Sequence, residues 1–255
     1  MLKEQLATLE REHNEILQAI FTAAQVQRKL CSPREVRRGK FEIAGEIFPV
    51  RHLSGDFSLV LDFGATTGLA VGDIAGKGLT AGLWLAHLAG LVRTHLASGL
   101  DPSEAAAVIN RELRKMQPEP PMVALFLAQL DQQNGEFVYC NAGQPAAIVL
   151  RGDGRLGFLE AGGPVLGAIP TALFASGRVV LSPGDALLSF SDGIVECRND
   201  REEEFGMERL VAAARGAGRS SATNMLFSVL GAAQDFVGGR AREDDLTLLI
   251  ACRLE

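Results

Sequence analysis

Cysteine is scarce and scattered. Cys31, Cys140, Cys197 and Cys252 form no CxxC pair, which excludes a disulfide framework and leaves no zinc-ligand spacing. Histidine is as rare, and His13, His52, His87 and His95 make no HExxH, so the zinc-peptidase pattern is missing. There is no GxSxG nucleophile elbow. Basic residues do not dominate: 25 Lys and Arg stand against 31 Asp and Glu, a net charge of −6, which argues against nucleic acid as a partner. The longest apolar stretch, residues 82–92, is too short to span a bilayer and contains His87. The opening MLKEQLATLEREHNEILQ is charged and helical, unlike a secretory signal. These absences predict a soluble, cytoplasmic protein with reduced thiols and no membrane contact.

What is present is an ordinary globular chain. Its 255 residues are 47% hydrophobic and 22% charged, enough to bury a core and too apolar for disorder. Residues 1–36 read as an amphipathic helical linker and 37–255 as a folded domain. In the linker, Leu2, Leu6, Leu9, His13, Ile16, Ile20, Ala23, Gln27 and Leu30 follow alternating steps of four and three, a heptad seam with two polar positions. Two arrangements stay open: a helix packed on its own domain, or a parallel coiled coil that makes a homodimer. The basic run 28–40 reads as a solvated linker.

Beyond residue 41 the period shortens. Strands are expected at 41–48, 56–63 and 67–74, the last two as a hairpin. Residues 79–98 read as a largely buried helix, and Asp101-Pro-Ser-Glu104 opens another with a capping box. Residues 123–131, 136–143 and 146–151 read as a meander. Further strands are expected at 174–181 and 186–192, joined by Pro183-Gly184. Helices near 206–215 and 220–237 precede a last strand at 246–254. Hairpin-connected strands with helices set apart predict an α+β fold of antiparallel sheets rather than a doubly wound parallel sheet.

The chemical signal is a set of carboxylates at the edges of apolar runs: Asp56 in SGDFS, Asp73 ending GLAVGD, Asp192 in LSFSDG, and Asp244-Asp245 opening DDLTLLI. Singly, each is a turn residue. Four such sites are costly in an apolar fold unless solvated, capped or bound to a cation. Carboxylate oxygens suit hard ions such as Mg²⁺ or Mn²⁺. Gly72-Asp-Ile-Ala-Gly76-Lys77-Gly78 is not a phosphate-binding P-loop, because it has three residues between its glycines and Gly78 where Ser or Thr is required.

In order, SGDFS (54–58), GDIAGKG (72–78), MVALFLAQLD (122–131), YCNAG (139–143), SDGIVE (191–196), FGMERL (205–210) and DDLTLL (244–249) resemble the stage II sporulation protein E (SpoIIE) branch of the metal-dependent Ser/Thr phosphatases. AAQVQRKLCSP (23–33) resembles the helical linker that joins sensors to this domain. The resemblance implies two packed antiparallel sheets flanked by helices, with two Mn²⁺ or Mg²⁺ ions between them. It implies that Asp73 bridges both ions, assisted by the Ile74 carbonyl. Asp192 and Asp244 would complete one shell, with Asp245 the weaker ligand candidate of the DD pair, and Asp56 would hold the second ion directly or through water. The implied reaction is hydrolysis of a phosphoserine or phosphothreonine by a metal-activated water. The implied substrate is a regulatory phosphoprotein, an anti-sigma-factor antagonist in bacterial partner switching. The implied input is an upstream sensor acting through the N-terminal helix on helices 79–98 and 101–116. A non-catalytic module that binds a phosphoprotein is the alternative. The sequence departs from the family pattern at Ser54 and Ser58, where GGDFYD is usual, and at Gln144, where NAGH is usual. Ala75 stands where animal relatives carry a His. Lys77 is one candidate general acid and a metal-bound water another. Arg51 reads as a surface charge.

Overall fold

Apolar alternation on both faces of a strand reads as one continuous hydrophobic run, and the last strand shows why it does so here. In the computed structural model, which describes residues 2–31, 35–116, 119–218 and 221–254, Leu246, Leu248, Ile250 and Cys252 pack towards one layer of helices. Leu249 and Ala251, between them, pack towards the opposite sheet. Every apolar residue of the run is buried, four towards the helices and two towards the opposite sheet.

The elements in order are helix α1 (Leu2–Leu30), strands β1 (Glu35–Arg38), β2 (Phe41–Phe48), β3 (Phe57–Asp62) and β4 (Thr66–Ile74), and helices α2 (Leu79–Ala97) and α3 (Pro102–Met116). Strands β5 (Val123–Asp131), β6 (Glu136–Ala142), β7 (Ala147–Leu150), β8 (Leu156–Leu159), β9 (Gly162–Gly163), β10 (Gly177–Val180) and β11 (Ala186–Phe190) follow. Helices α4 (Asp192–Glu196), α5 (Gly206–Gly216) and α6 (Ala222–Val237) lead to strand β12 (Leu246–Arg253).

One sheet has the order β1-β2-β12-β11-β7-β8 and the other β10-β6-β5-β4-β3. All these pairs are antiparallel, and only the two-residue β9 runs parallel, beside β6. Phe41, Ile43, Leu69, Val71, Phe126 and Phe137 fill the space between the sheets. Helices α5 and α6 cover the outer face of the first sheet, and α2 and α3 cover the second. The α+β sandwich of two antiparallel sheets is therefore as expected. The capping box is present too: Ser103 N donates to Asp101 Oδ1 (2.9 Å) and Asp101 N to Glu104 Oε2 (3.1 Å).

Three local expectations are corrected. Residues 146–151 do not continue a meander, because β7 leaves the second sheet and pairs with β11 and β8 in the first. Pro145 has no N–H to extend the ladder, and the Asn141–Gln144 turn redirects the chain. Pro183-Gly184 joins β10 to β11 as expected, and the turn carries the chain between sheets, since β10 lies on β6 and β11 on β12. Asp192 opens α4 rather than ending a strand. Part of the basic run is not a linker: β1 pairs with β2 as an edge strand, and its exposed Glu35 and Arg37 suit an edge that must not pair further. Residues 32–34 of that run lie outside the described residues.

Helix α1 stands apart. Only Ala24 and Gln27 of its 29 residues are buried, whereas Leu2, Leu6, Leu9, Ile16, Leu17, Phe21 and Val26 are exposed. Packing on its own domain is thus confined to its last turns. Among the described residues no helix is long and apolar enough to cross a membrane.

The turn after β10 hangs on one carboxylate. Asp185 accepts from Arg151 Nη1 (2.8 Å), Gly152 N (2.7 Å) and Ser182 N (2.8 Å). Burial alone would raise its pKa, but the Arg151 hydrogen bond and the two backbone donors outweigh it and hold Asp185 below the usual carboxylate range. A carboxyl with a lowered folded pKa adds stability above its unfolded value, about 3.9, and loses it as pH falls. We expect Asp185→Ala to cost roughly 2–3 kcal/mol at pH 7. The difference from wild type should narrow below about pH 4, as chemical denaturation at several pH values would show.

Candidate metal centre

Strand register brings the carboxylates together in two pairs. In the second sheet Phe57 lies opposite Gly72, so the next positions, Asp56 and Asp73, face each other where β3 begins and β4 ends. In the first sheet Phe190 lies opposite Leu248, and Ser191 N donates to Thr247 O (3.0 Å). Asp192 and the Asp244-Asp245 pair therefore meet where β11 ends and β12 begins. Stacking the sheets joins the pairs: Thr247 Oγ1, on the first sheet, donates to Asp56 Oδ2, on the second (2.6 Å).

Two glycines permit this convergence. A Cβ on Gly55 would lie 2.8 Å from the Ile74 carbonyl oxygen, and one on Gly193 would lie 2.1 Å from the Asp245 carbonyl oxygen. No side chain fits either approach without backbone movement. The Asp-Gly dipeptides that look like turn signals are here close contacts.

The electrostatics are those of like charges gathered without a counter-ion. Burial, then the Asp73 charge, pushes Asp56 well above the usual carboxylate range, despite hydrogen bonds from Thr247 and Ser191. Burial, then Asp192, pushes Asp73 up to about 6. Asp192 is raised by burial and by Asp244. Lys77 is the ammonium at the rim: Nζ lies 3.0 Å from Asp244 Oδ1 and donates to the Glu243 carbonyl (2.5 Å). Asp244 itself is exposed. Among the described residues no three His, Cys, Asp or Glu side chains close around a single point as ligands would. Repulsion and the pull of Lys77 on Asp244 account for that open arrangement. The donor set is all oxygen and strongly acidic, and it fits a hard divalent cation.

Asp245 plays a different part from its neighbour. Val50 N (2.6 Å) donates to its Oδ1, and Ser54 Oγ (2.6 Å) and Gly55 N (3.2 Å) donate to its Oδ2. Both oxygens are engaged by the loop before Asp56.

The sequence profile of the family described as stage II sporulation protein E (SpoIIE) matches residues 64–254, a span that carries Asp73, Asp192 and Asp244. The chain belongs to the SpoIIE family. It is 25% identical over 256 residues to the phosphoserine phosphatase RsbU of Bacillus subtilis, covering 99% of this chain and 75% of RsbU. It resembles the solved RsbU and RsbW domains of a Mycobacterium tuberculosis protein (26% identity, TM-score 0.72), covering 84% of this chain and 60% of that one. The fold extends to the SiaA PP2C domain of Pseudomonas aeruginosa (17% identity, TM-score 0.81), covering 96% of this chain and 99% of that domain.

Within this SpoIIE domain the departures from pattern have structural explanations. Ser54, in place of Gly, puts its hydroxyl between Asp245 and the backbone of Asp56, whose N–H donates to Ser54 Oγ (2.9 Å). Gln144, in place of His, donates through Nε2 to Ala124 O (3.2 Å), and Ala124 lies opposite Asp73 on β5. Asn141 closes the same turn by accepting from Gln144 N (2.9 Å). Ser54 was noted from sequence only as a departure from the family pattern, and Thr247 and Ser191, inside the DDLT and SDG motifs, were not singled out; the supporting role of all three comes from the structure. The basic residues near the site were missed as well: Arg198, Arg240 and Arg242 line a cavity of about 200 Å³ with Asp192, Glu196 and Asp244. Arg51 is exposed, as expected.

A carboxyl whose folded pKa is raised costs stability above its unfolded value. Asp73→Asn should therefore melt about 2–6 °C higher than wild type in chelator at pH 8. That gap should close between about pH 6 and pH 4, where wild-type Asp73 becomes neutral. Excess Mn²⁺ should reverse the order. Melting scans with and without metal test both signs.

Proposed function

We propose that this protein is a divalent-metal-dependent phosphatase acting on a phosphoserine or phosphothreonine of a regulatory protein. Its class, protein serine/threonine phosphatase, follows from the SpoIIE family and the PP2C fold, and PP2C-type phosphatases are metal-dependent. The observation that carries the reading is the meeting of Asp56 and Asp73 from one sheet with Asp192 and Asp244 from the other. Asp73, with the Ile74 carbonyl, would bridge two Mg²⁺ or Mn²⁺ ions, Asp192 and Asp244 would complete one shell, and Asp56 would hold the second ion. Such ions supply Lewis acidity toward water and toward phosphoryl oxygens.

The chain's own residues support this role. The apolar sandwich beneath the carboxylates makes their charge hard to satisfy by solvent, which favours a cation. Lys77, at the rim beside Asp244, can deliver positive charge or a proton to a group bound there. Arg242 lines the adjoining cavity with its guanidinium 5.8 Å from the Phe48 ring centroid, and it pairs with no carboxylate among the described residues. It is suited to a phosphoryl oxygen or an acidic substrate residue. Covalent catalysis by Cys197, in the same cavity, is disfavoured: burial raises its thiol pKa, and its Sγ is spent on the Ile194 carbonyl (3.1 Å).

The substrate we favour is a phosphorylated anti-sigma-factor antagonist, the partner implied by the resemblance of the motifs to the SpoIIE branch. The exposed seam of α1 suits either a second copy of the chain or a sensor that acts on α2 and α3. A cytoplasmic location goes with that pathway. Hydrolysis of an aryl phosphate tests the chemistry. Turnover should require Mn²⁺ or Mg²⁺, stop in chelator, and fall roughly 10²–10³-fold in Asp192→Asn. Metal binding without turnover, even on a phosphorylated antagonist protein, would replace the enzyme with a phosphoprotein-binding module.

A further inference from the structure

One of the two buried residues in α1 is a glutamine. Gln27 is 8% exposed, and both ends of its carboxamide are hydrogen-bonded. Its Oε1 accepts from Ser54 N (3.0 Å) and its Nε2 donates to Ser54 O (2.8 Å). The amide thus pairs with both backbone groups of one residue as a neighbouring strand would, across 27 positions of sequence. Its Nε2 also lies against α2, 3.2 Å from where a Cβ on Gly82 would be. A polar side chain at a seam position is costly unless its donors and acceptors are satisfied. Here they are satisfied by the loop that carries Asp56.

The hydrogen bonds continue inward. Ser54 Oγ donates to Asp245 Oδ2 (2.6 Å) and accepts from Asp56 N (2.9 Å). Asp245 is fixed by Val50 N and Gly55 N as well. The Asp56 carboxylate is held from the far side by Thr247 Oγ1. Gln27, Ser54, Asp245, Asp56 and Thr247 form one continuous buried network that starts on the linker helix and ends between the sheets. Resting on the metal-site reading above, we infer that Gln27 and Ser54 are positioning residues for Asp56. The Gln27 amide holds the Ser54 peptide, and the Ser54 hydroxyl sets where Asp56 presents its carboxylate.

Two features make this more than loop packing. The rest of α1 holds the body weakly, through Ala24 and through Arg93 Nη2 donating to the Leu30 carbonyl (2.7 Å). A small shift of the helix therefore acts on the two Gln27 bonds first. In addition, Ser54 stands where the family pattern has Gly. The hydroxyl link between Asp245 and the Asp56 backbone is therefore a feature of this chain that its relatives with Gly there lack.

The full chain carries the test, with Gln27→Leu, Ser54→Ala and Ser54→Thr beside wild type. Hydrogen exchange of residues 53–57 is measured in chelator, and the Mn²⁺ dissociation constant by calorimetry. We expect Gln27→Leu and Ser54→Ala to speed exchange in 53–57 and to weaken Mn²⁺ binding about tenfold, the usual effect of losing an outer-shell partner. Ser54→Thr keeps the hydroxyl and should stay near wild type in both. Unchanged exchange and unchanged Mn²⁺ affinity in Gln27→Leu would overturn the assignment. So would Ser54→Thr behaving like Ser54→Ala. If Gln27→Leu fails to fold, the Ser54 pair decides. A wild-type protein that binds no Mn²⁺ would sink the metal-site reading instead, and the exchange arm would still decide whether Gln27 and Ser54 hold the Asp56 loop.

Discussion

Like charges held at one end of an apolar sandwich govern this structure. The sheets are joined by apolar side chains, and that layer would be content without any carboxylate. Asp56, Asp73 and Asp192 nonetheless sit where burial and mutual repulsion raise their pKa values. A fold tolerates such a cluster only if its other interactions hold the backbone firmly enough to resist the repulsion. Long antiparallel ladders do so here. Strand β4 is paired to β5 along its length and to β3 over residues 67–72, and β12 is paired to β2 along its length and to β11 over residues 248–252. Asp73 follows six residues of doubly paired strand and cannot retreat from its neighbours. Asp244, which precedes its strand, can turn outward, and it does so towards Lys77.

The same constraint explains why adjacent acids, Asp244 and Asp245, behave so differently. Asp245 is buried and would add a further unpaired charge to the cluster if left unbonded. Three donors from the loop before Asp56 neutralise that cost. The carboxylate that is fully hydrogen-bonded is the one that organises the protein. The carboxylates that are poorly compensated are the ones we propose for the cation. Satisfied and unsatisfied acids thus separate structural from functional roles, although sequence presents them as one DD pair.

That distinction marks the limit of what could be read beforehand. The four acids were legible because each follows or precedes an apolar run and three are flanked by glycine, a costly pattern with few explanations. The sandwich was legible from strand spacing and from helices set between groups of strands. The sheet to which β7 and β10 belong was not. A four-residue apolar strand satisfies either sheet equally well, and the choice is made by Pro145 and by the Asp185 turn, whose bonds join residues far apart in the chain. The edge strands β1 and β8 were missed because edges are short and carry little hydrophobic pattern. The roles of Ser54 and Thr247 were missed because their partners, Asp245 and Asp56, are each 191 residues away. No local pattern reports a contact at that distance.

Helix α1 joins these two kinds of information. Its heptad spacing is a local pattern and was read as such, with Gln27 counted as an imperfection in an apolar seam. In the fold Gln27 is the residue that ties the seam to the domain, and the flaw in the pattern is where the helix does its chemical work. The apolar seam positions nearer its start, Leu2, Leu6, Leu9 and Ile16, remain exposed, so the helix offers a gripping surface outside and a specific polar contact inside. A purely apolar residue at position 27 would also have buried the helix end, but a hydrophobic contact tolerates sliding, whereas two opposed hydrogen bonds to the backbone of one residue fix register. A glutamine is what this position requires if the place of α1 along the domain is to be felt by the loop that carries Asp56.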